Sequence, residues 1–218
     1  MPAETRDRVL DAAEGLFAER GFAAVGVREI TRAAGANAAA VNYHFGSKLE
    51  LYRAVLKRRI DPINAERVRR LEAARRAAGS EGLSPEAVVQ ALLRPVFETM
   101  AHPDGRPNRR MIALGSRAIL ETPQFFQRMH REFFQEIRDL FSAALHDCLP
   151  HLGPEAVQAR FFFLISVMTG TITQTGAIGF ATKDLIAEQD FLALTDRFLA
   201  YAAAAVQMEF PEDRSTSK

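Results

Sequence analysis

The stretch that decides the fold is ITRAAGANAAAVNYHFGSKLEL, which runs from Ile30 to Leu51. It contains the end of one short amphipathic segment, Val27 to Ala34, and a second short segment, Ala38 to His44. Gly35 separates these two segments, and Asn37 is placed to cap the second segment. Two short helices joined by a tight glycine-containing turn form a helix-turn-helix, whose second helix enters the major groove of DNA. The stretch therefore predicts a DNA-binding motif.

The sequence on both sides of this motif predicts further helices. Upstream, an apolar stripe at helical spacing predicts a helix from Thr5 to Arg20, ended by Gly21. Downstream, the run Ser47 to Glu50 matches a capping box, so a long helix is expected from Ser47 toward Arg76. Pro62 falls inside that helix, and a kink or short break is expected there because proline removes a backbone donor.

The rest of the chain also carries helix signals. Cap-plus-proline pairs at Ser84-Pro85, Thr122-Pro123 and Gly153-Pro154 each predict a helix start, and the second of these helices should reach Leu149. A last helix is expected over about 187–208. No segment alternates apolar and polar residues over the length of a strand. The predicted fold is all-α, with a three-helix helix-turn-helix domain followed by a helical ligand-binding and dimerisation domain.

The overall composition narrows the class of protein. Hydrophobic residues make up 48% and charged residues 25% of the chain, as in globular proteins. No apolar run is recognised that approaches the ~20 residues of a membrane span, so no membrane partner is expected. The N-terminus lacks the pattern of a signal peptide. Cys148 is the single cysteine, which leaves no internal disulfide and no cysteine cluster for zinc. We therefore expect a cytoplasmic protein without a metal site.

The charge is unevenly distributed along the chain. The net charge is only +1, which argues against a general nucleic-acid coat. Residues 1–60 hold ten Lys and Arg against seven Asp and Glu, so the positive excess lies where the helix-turn-helix lies. Thirteen of the sixteen phenylalanines follow residue 60, so the C-terminal part carries most of the aromatic residues.

The run from Ile30 to Leu51, together with AAEGLFAERGF at 12–22, resembles the signature of the TetR repressor family. The resemblance spans about the first fifty-five residues without a gap. It implies an all-helical homodimer that binds palindromic operator DNA, with a DNA-binding domain over 1–55 and an effector-binding and dimerisation domain over 56–210. Those domains also imply control by a small-molecule effector.

Carried over residue by residue, the resemblance implies DNA contacts for eight positions. Arg28 matches a residue that reaches the groove or its phosphates. The positions that match base-facing residues are Ala38, Ala39 and Asn42. The positions that match phosphate contacts are Asn37, Tyr43, His44 and Lys48. Physical chemistry agrees, because lysine and helix N-termini hold phosphates, asparagine pairs with adenine, and alanine methyls touch thymine methyls.

Some of these positions depart from the family pattern or allow a structural role. Many family members have a larger or polar residue at Ala38 and Ala40 and an aromatic one at Asn42. Specificity here is therefore expected to depend on Arg28, Asn42 and DNA shape. Tyr43 could be a core aromatic, although that interpretation suits Phe45 better. His44 is equally compatible with a buried structural histidine.

The C-terminal part supports a less specific prediction. Local pieces, such as Ile63 to Arg67 and Leu145 to Pro150, are similar to regulators of fatty-acid and acyl-thioester metabolism, so a fatty acid or acyl-CoA is one candidate effector. Phenylalanine and methionine side chains are candidates for an apolar or amphipathic pocket between helices. The residues proposed to bind the ligand are Met111, Leu114, Phe125, Met129, Phe133, Phe162, Met168 and Gln174. The alternative is that most of them fill an ordinary core.

Three functional hypotheses follow from the sequence. The first is a DNA-binding regulator, expected to be a repressor, that dimerises through two helices at about 156–180 and 187–206 and responds to an effector. The second is a helix-turn-helix protein without an effector. The third, an enzyme, has no support: no nucleophile elbow, zinc motif or phosphate-binding loop is present, and neither catalytic residues nor a cofactor is predicted.

Overall fold

The computed structural model describes residues 2–37, 39–121, 123–183, 185–186 and 191–210. Apart from an isolated bridge between Ala101 and Pro107, these residues form helices, turns and loops, so the predicted all-α class is confirmed. Two short 3-10 helices lie at Gly79–Glu81 and Thr175–Ala177. The α-helices are α1 (Pro2–Ala24), α2 (Val27–Ala33), α3 (Ala40–Phe45), α4 (Lys48–Ala78), α5 (Pro85–Thr99), α6 (Arg109–Ile119), α7 (Pro123–Cys148), α8 (Pro154–Thr173), α9 (Ile178–Ala181) and α10 (Phe191–Val206).

Serine side chains start two of these helices as predicted. The hydroxyl of Ser84 accepts a hydrogen bond from the backbone N–H of Ala87 at 3.1 Å. The hydroxyl of Ser47 accepts one from the backbone N–H of Glu50, also at 3.1 Å. The carboxylate of Glu50 pairs with Arg53 instead of returning to Ser47, so this cap is half of a capping box.

The structure corrects the predictions in three places. Helix α4 runs through Pro62 without the predicted short break, because losing one backbone donor does not interrupt a ladder of thirty-one residues, and the alternative of a kink stays a prediction. Helix α6 was not predicted at all, although its Met111 and Leu114 are buried. Helix α8 ends at Thr173, so it does not extend to residue 180 as the dimerisation prediction assumed. The predicted start of the last helix, residues 187–190, lies outside the described residues.

Helix α8 also corrects the statement that no apolar run approaches the length of a membrane span. Its twenty residues are long and apolar enough, by length and composition, to cross a membrane, and a third of its most apolar window is buried. Its apolar run is easily overlooked in the sequence because Arg160 interrupts it. Leu164 and Met168 are buried, so one face of α8 packs against its own chain, as a face of a core helix does.

The chain divides into two compact units. The N-terminal unit comprises the residues up to Pro62 together with 109–130, and the C-terminal unit comprises 63–108 and the residues from Arg131 onward. In the N-terminal unit, α6 packs against α1, although α6 lies far outside the predicted 1–55 domain. In the C-terminal unit, α10 packs against α5, and the ring of Phe97 lies 5.0 Å from the ring of Phe198.

The core of the N-terminal unit supports the helix-turn-helix. Phe17, Ile30, Val41 and Tyr52, one from each of the first four helices, are completely buried. Because each of these side chains removes its apolar surface from water only when the four helices meet, burial fixes α2 and α3 against their neighbours.

Candidate nucleic-acid interface

The turn between α2 and α3 is set by Gly35. Its φ of 58° lies in the left-handed region, where a side chain would be strained. The backbone N–H of Ala36 donates to the carbonyl of Thr31 at 2.8 Å, and that of Gly35 donates to the carbonyl of Arg32 at 3.2 Å. This pair of bonds forms a Schellman motif, which ends α2 and redirects the chain toward α3.

Asn37 lies just before α3 but does not cap it as predicted, because the N-cap position is Ala39 and no side chain caps it. The side-chain oxygen of Asn37 accepts a hydrogen bond from the backbone N–H of Ala39 at 3.0 Å, and its carbonyl accepts one from the N–H of Ala40 at 2.9 Å. The helix begins at Ala40, two residues later than expected. Ala38, predicted to face a base, lies outside the described residues. Asn37 is itself exposed, which keeps its predicted phosphate contact sterically accessible.

Helix α3 has one buried and one exposed face. Ala40 and Val41 are buried, while Ala39, Asn42 and Tyr43 are exposed. Tyr43 has 81% of its surface exposed, so the alternative that it is a core aromatic is wrong. Three of the side chains predicted to touch DNA therefore share the outward face of the helix.

The two aromatic residues after Tyr43 have intermediate positions. His44 is half-buried, and its ring packs edge-on against that of Tyr43 at a centroid distance of 4.8 Å. Phe45 is also half-buried, and the guanidinium of Arg6 lies over its ring at 5.3 Å. Arg6 is thereby placed beside the C-terminal end of α3, a position that no pattern in the sequence indicates.

Helix α2 contributes two exposed cations. Arg28, predicted to reach the groove or its phosphates, is exposed, and so is Arg32 one turn later. Among the described residues neither has an ion-pair partner, whereas Glu29 between them is paired with Arg20. Arg32 was missed because a lone arginine in sequence is usually solvated; its spacing of four residues from Arg28 is the signal that could have found it.

Lys48 has a different environment from the one predicted. Its ammonium donates hydrogen bonds to the backbone carbonyls of Phe22 and Val25, at 2.8 and 2.9 Å. It also lies 4.2 Å from the centre of the Phe22 ring. These carbonyls lie after Gly21, where the backbone of α1 leaves helical geometry with a φ of 77°, and they need donors, which the ammonium supplies. The ammonium of Lys48 therefore binds carbonyls within the N-terminal unit. This geometry gives no support to the predicted phosphate contact.

Helix α6 also holds the end of α1. Arg117 donates to the backbone carbonyls of Ala18 and Glu19, at 2.9 and 2.6 Å. The carboxylate of Glu121 accepts a hydrogen bond from the backbone N–H of Phe22 at 3.3 Å. The carbonyls of Ala18 and Glu19 are among the last before Gly21, where α1 leaves helical geometry, and a cation there interacts favourably with the helix dipole. The end of the first helix is thus fixed by α4 and α6 together.

A buried carboxylate joins the same three helices. Glu14 on α1 is 2% exposed and accepts hydrogen bonds from Arg58 at 2.7 Å and from Arg59 at 2.6 and 2.8 Å. Arg110 on α6 lies 3.6 Å away. Burial alone would raise the pKa of Glu14, but the hydrogen bonds from Arg59 and Arg58 hold it below its usual value. The basic run at 57–59 is therefore partly internal.

The predicted ligand-binding residues do not form one set. Met111, Leu114 and Met129 are buried in the N-terminal unit, and Phe125 stacks on Tyr52 at 5.3 Å within an aromatic cluster of that unit. Sequence spacing cannot separate this packing from a pocket, because both produce the same apolar stripe.

The other four candidates lie in the C-terminal unit. Phe133 and Met168 are buried there. Phe162 is 65% exposed and Gln174 is exposed, so neither is enclosed among the described residues, and their predicted contact with a ligand stays a prediction. Both belong to α8 or its C-cap, and helical geometry turns them away from the buried Leu164 face.

Two cavities of the C-terminal unit can be described, and they contain none of the eight predicted residues. One, of about 290 Å³, lies between α8 and α10 and is lined by apolar side chains that include Phe163, Tyr201 and Met208. The other, also of about 290 Å³, lies between α7 and α8 beside Ser142 and Gln158.

Family models match both parts of the chain. A model described as "Bacterial regulatory proteins, tetR family" matches residues 9–55. A model described as "Tetracyclin repressor-like, C-terminal domain" matches residues 90–205, which is more than half of the chain.

Curated relatives match a shorter part. The "HTH-type transcriptional activator FasR" of Mycolicibacterium smegmatis is 47% identical over 58 residues, which cover 27% of this chain and 26% of that protein. The "HTH-type transcriptional regulator SrpR" of Pseudomonas putida is 40% identical over 63 residues, which cover 29% and 30%. The chain thus matches less than a third of the length of these relatives.

Solved structures resemble almost the whole chain. The fatty acid degradation regulator FadR from Bacillus halodurans has a TM-score of 0.62 at 16% identity, covering 93% of this chain and 99% of that one. The ketosteroid transcriptional regulator KstR2 of Mycobacterium tuberculosis has a TM-score of 0.60 at 18% identity, covering 94% and 95%. SCO4454 from Streptomyces coelicolor has a TM-score of 0.59 at 21% identity, covering 99% and 97%. At these identities the likeness shows the fold alone.

Proposed function

The chain belongs to the TetR family of bacterial regulatory proteins, and from that premise we propose that it is a repressor that a small molecule releases from a palindromic operator. Family membership establishes a transcription regulator with an N-terminal DNA-binding domain. The matched families and relatives are regulators of transcription and not enzymes. What we propose beyond family membership is repression, a palindromic operator and control by an effector.

The observation that carries the proposal is the outward face of α3. Ala39, Asn42 and Tyr43 are exposed together, and Arg28 on α2 is exposed without an ion-pair partner among the described residues. Asn42 can read a base edge, while Arg28 and Tyr43 suit phosphates. Because the Gly35 turn and a buried core fix α3 in place, the face is preorganised for a groove.

A second observation supports a homodimer. Phe162, Phe163 and Val167 on α8 are 65%, 51% and 41% exposed, and Tyr201 on α10 is 63% exposed. Large apolar side chains exposed in this number favour a protein partner. A second copy of α8 and α10 would complete a four-helix bundle. Two recognition helices could then enter successive major grooves about 34–36 Å apart.

The predicted effector is an apolar or amphipathic small molecule, with a fatty acid or acyl-CoA as the first candidates. The competing function is DNA binding without an effector. Burial of Met111, Leu114 and Met129 in ordinary packing favours that alternative. A cytoplasmic location follows from either version, since the target is chromosomal DNA.

The dimer and the operator can be tested with one pair of variants. Phe162→Glu places a charge on the proposed interface and should give monomers that lose most of their affinity for a selected palindrome. Leu120→Glu is the matched control, because Leu120 is 77% exposed in the other unit. Light scattering and an operator titration measure both properties. A wild-type monomer that binds a single half-site tightly would contradict the proposed dimer.

The reading of bases can be tested separately. Asn42→Ala should relax the preference at one base-pair position by about 1–3 kcal/mol if the contact is bidentate. Arg28→Ala should instead weaken binding to all sequences alike, if its contact is to phosphate. Titration of both variants against an operator library distinguishes these results. A uniform loss in both would show that Asn42 does not read a base.

A further inference from the structure

The C-terminal unit contains a buried arginine with unusual partners. Arg67, on α4, is 3% exposed. Its Nε donates to the backbone carbonyl of Leu92 on α5 at 2.7 Å, and its Nη1 donates to the side-chain oxygen of Asn64 at 3.0 Å. The amide nitrogen of Asn64 donates in turn to the backbone carbonyl of Phe133 on α7 at 2.7 Å. The guanidinium is thus held between three helices.

None of these partners carries a charge. Among the residues that the structure describes, no carboxylate lies within ion-pair distance of Arg67. Burial lowers the pKa of Arg67 to about 10, which still leaves the side chain charged at neutral pH. A guanidinium has five N–H donors, and these two hydrogen bonds use two of them. Buried charges in proteins are normally paired, so this one requires an explanation.

Other arginines of the same unit differ from Arg67. The guanidinium of Arg70 binds Glu98 at 2.7 Å, and that of Arg94 binds Asp196 at 2.7 Å, although both are partly exposed. Glu66, next to Arg67 in sequence, is turned toward Arg69 and Arg70. Carboxylates are therefore available on neighbouring turns, yet they pair with the exposed arginines and leave the buried one without a counter-ion.

A second buried arginine shows what a purely structural arrangement looks like. Arg160 donates to the backbone carbonyls of Val206 and Met208 at the C-terminal end of α10. The negative end of the helix dipole compensates a cation at that place. The carbonyl of Leu92 lies within α5, seven residues before its last residue, where this compensation is absent.

We propose that Arg67, with Asn64 beside it, binds the anionic group of the effector, so that the effector is an amphipathic molecule with a carboxylate or phosphate group. The inference rests on the proposed effector control. The planar guanidinium fork matches two oxygens of either anion, and a site of low polarity strengthens the pairing. Asn64 positions the fork by holding Nη1.

The test uses three ten-carbon probes that differ at one end: decanoate, decyl phosphate and decan-1-ol. Thermal shift and calorimetric titration are run on the full chain without DNA. Both anions should stabilise the wild type more than the alcohol does. Arg67→Met should lose about tenfold or more in affinity for the anions, because a hydrogen bond to a charged group is lost, and should bind the alcohol unchanged. Arg94→Met, which removes an arginine from the same unit, should behave as the wild type.

A second variant covers the case in which Arg67→Met fails to fold. Asn64→Asp places a carboxylate where the amide oxygen contacts Arg67, so it should compete with the added anions and weaken their binding by a similar factor. Wild-type affinity for decanoate in either folded variant would overturn the inference, and so would a wild type that binds neither anion. Operator titration is read separately: anions that bind without releasing DNA would refute the proposed switch and leave the anion site standing.

Discussion

The two units differ in how they treat a buried charge. In the N-terminal unit, the carboxylate of Glu14 is hydrogen-bonded to two arginines and lies near a third. In the C-terminal unit, the guanidinium of Arg67 meets a backbone carbonyl and an amide oxygen. The buried charge of Glu14 is compensated by its arginines, whereas that of Arg67 has no counter-ion among the described residues. The difference suits the proposed function, in which the N-terminal unit keeps one shape to read DNA and the C-terminal unit is completed by its ligand.

The ends of the helices show the same contrast. In the N-terminal unit, backbone carbonyls on both sides of Gly21, where α1 leaves helical geometry, receive donors from Lys48 and Arg117. Because these bonds connect α1 to α4 and α6, they make the N-terminal unit rigid. A rigid N-terminal unit favours DNA recognition, since side chains on α3 must contact positions in the major groove at a fixed spacing.

The largest expected effect is the loss of Glu14. Glu14→Ala leaves Arg58 and Arg59 without their shared counter-ion and should lower the free energy of unfolding by about 3 kcal/mol, at the low end for buried pairs because both arginines are partly exposed. Urea unfolding measures this change. Arg67→Met without ligand should be neutral or stabilising, because it removes a buried charge that has no counter-ion.

Two outcomes would break this comparison. If Arg67→Met destabilises the ligand-free protein as much as Glu14→Ala does, both charges are structural and the contrast between the units disappears. Glu72→Ala is the control, because its carboxylate is 59% exposed and 4.0 Å from Arg76. That variant should change the free energy of unfolding by less than about 0.5 kcal/mol. A larger change there would show that exposed ion pairs also matter, so the loss at Glu14 could not be assigned to burial.

The same carboxylate predicts a response to acid. The folded-state pKa of Glu14 lies below the ordinary value of 4.5, so its stabilising contribution is present above pH 4.5. That contribution should be lost as the pH falls from 4.5 through the lowered folded-state value. Glu14→Gln cannot titrate, so its unfolding free energy should depend less on pH in this window. Urea melts of both proteins at a series of pH values check the difference.

A smaller effect is expected at Lys48. Lys48→Met removes two hydrogen bonds from a charged donor and should cost about 1.5–3 kcal/mol of stability. The slope of log affinity against log salt should stay as in the wild type. Arg28→Ala, by contrast, should reduce that slope by about 0.9 if it contacts a phosphate. Should Lys48→Met flatten the slope as Arg28→Ala does, its ammonium contacts phosphate as the resemblance implied.

The smallest effects are expected at the helix caps. Ser47→Ala and Ser84→Ala each remove one cap bond of 3.1 Å, one in each unit, and each should cost about 1 kcal/mol. Ser80→Ala is the control, because Ser80 is exposed and caps no α-helix. Equal costs at the two caps, measured by thermal unfolding, would show that the units differ in their buried charges and not in local helix stability.

The sequence by itself determined the local structure of the helix-turn-helix. Gly35 ends a helix, Ser47 starts one and Asn37 forms the turn before α3, each through bonds to residues no more than four positions away, so their roles are written in adjacent sequence. The apolar period likewise identified the buried Val41 face of α3. The exposed side of that helix follows from the same period, because the residues between the apolar positions must point the other way.

Only the tertiary structure decided which polar side chains turn inward. Lys48 reaches a carbonyl 26 residues away, Arg117 one that is 99 residues away, and Arg67 one that is 25 residues away. No local pattern distinguishes such a cation from a solvated one, because the acceptor belongs to another helix. Phe162 shows the converse, since its apolar stripe predicted burial and the packing of α8 left it exposed. Helical spacing places a residue on a face, and packing between distant helices decides what that face contacts.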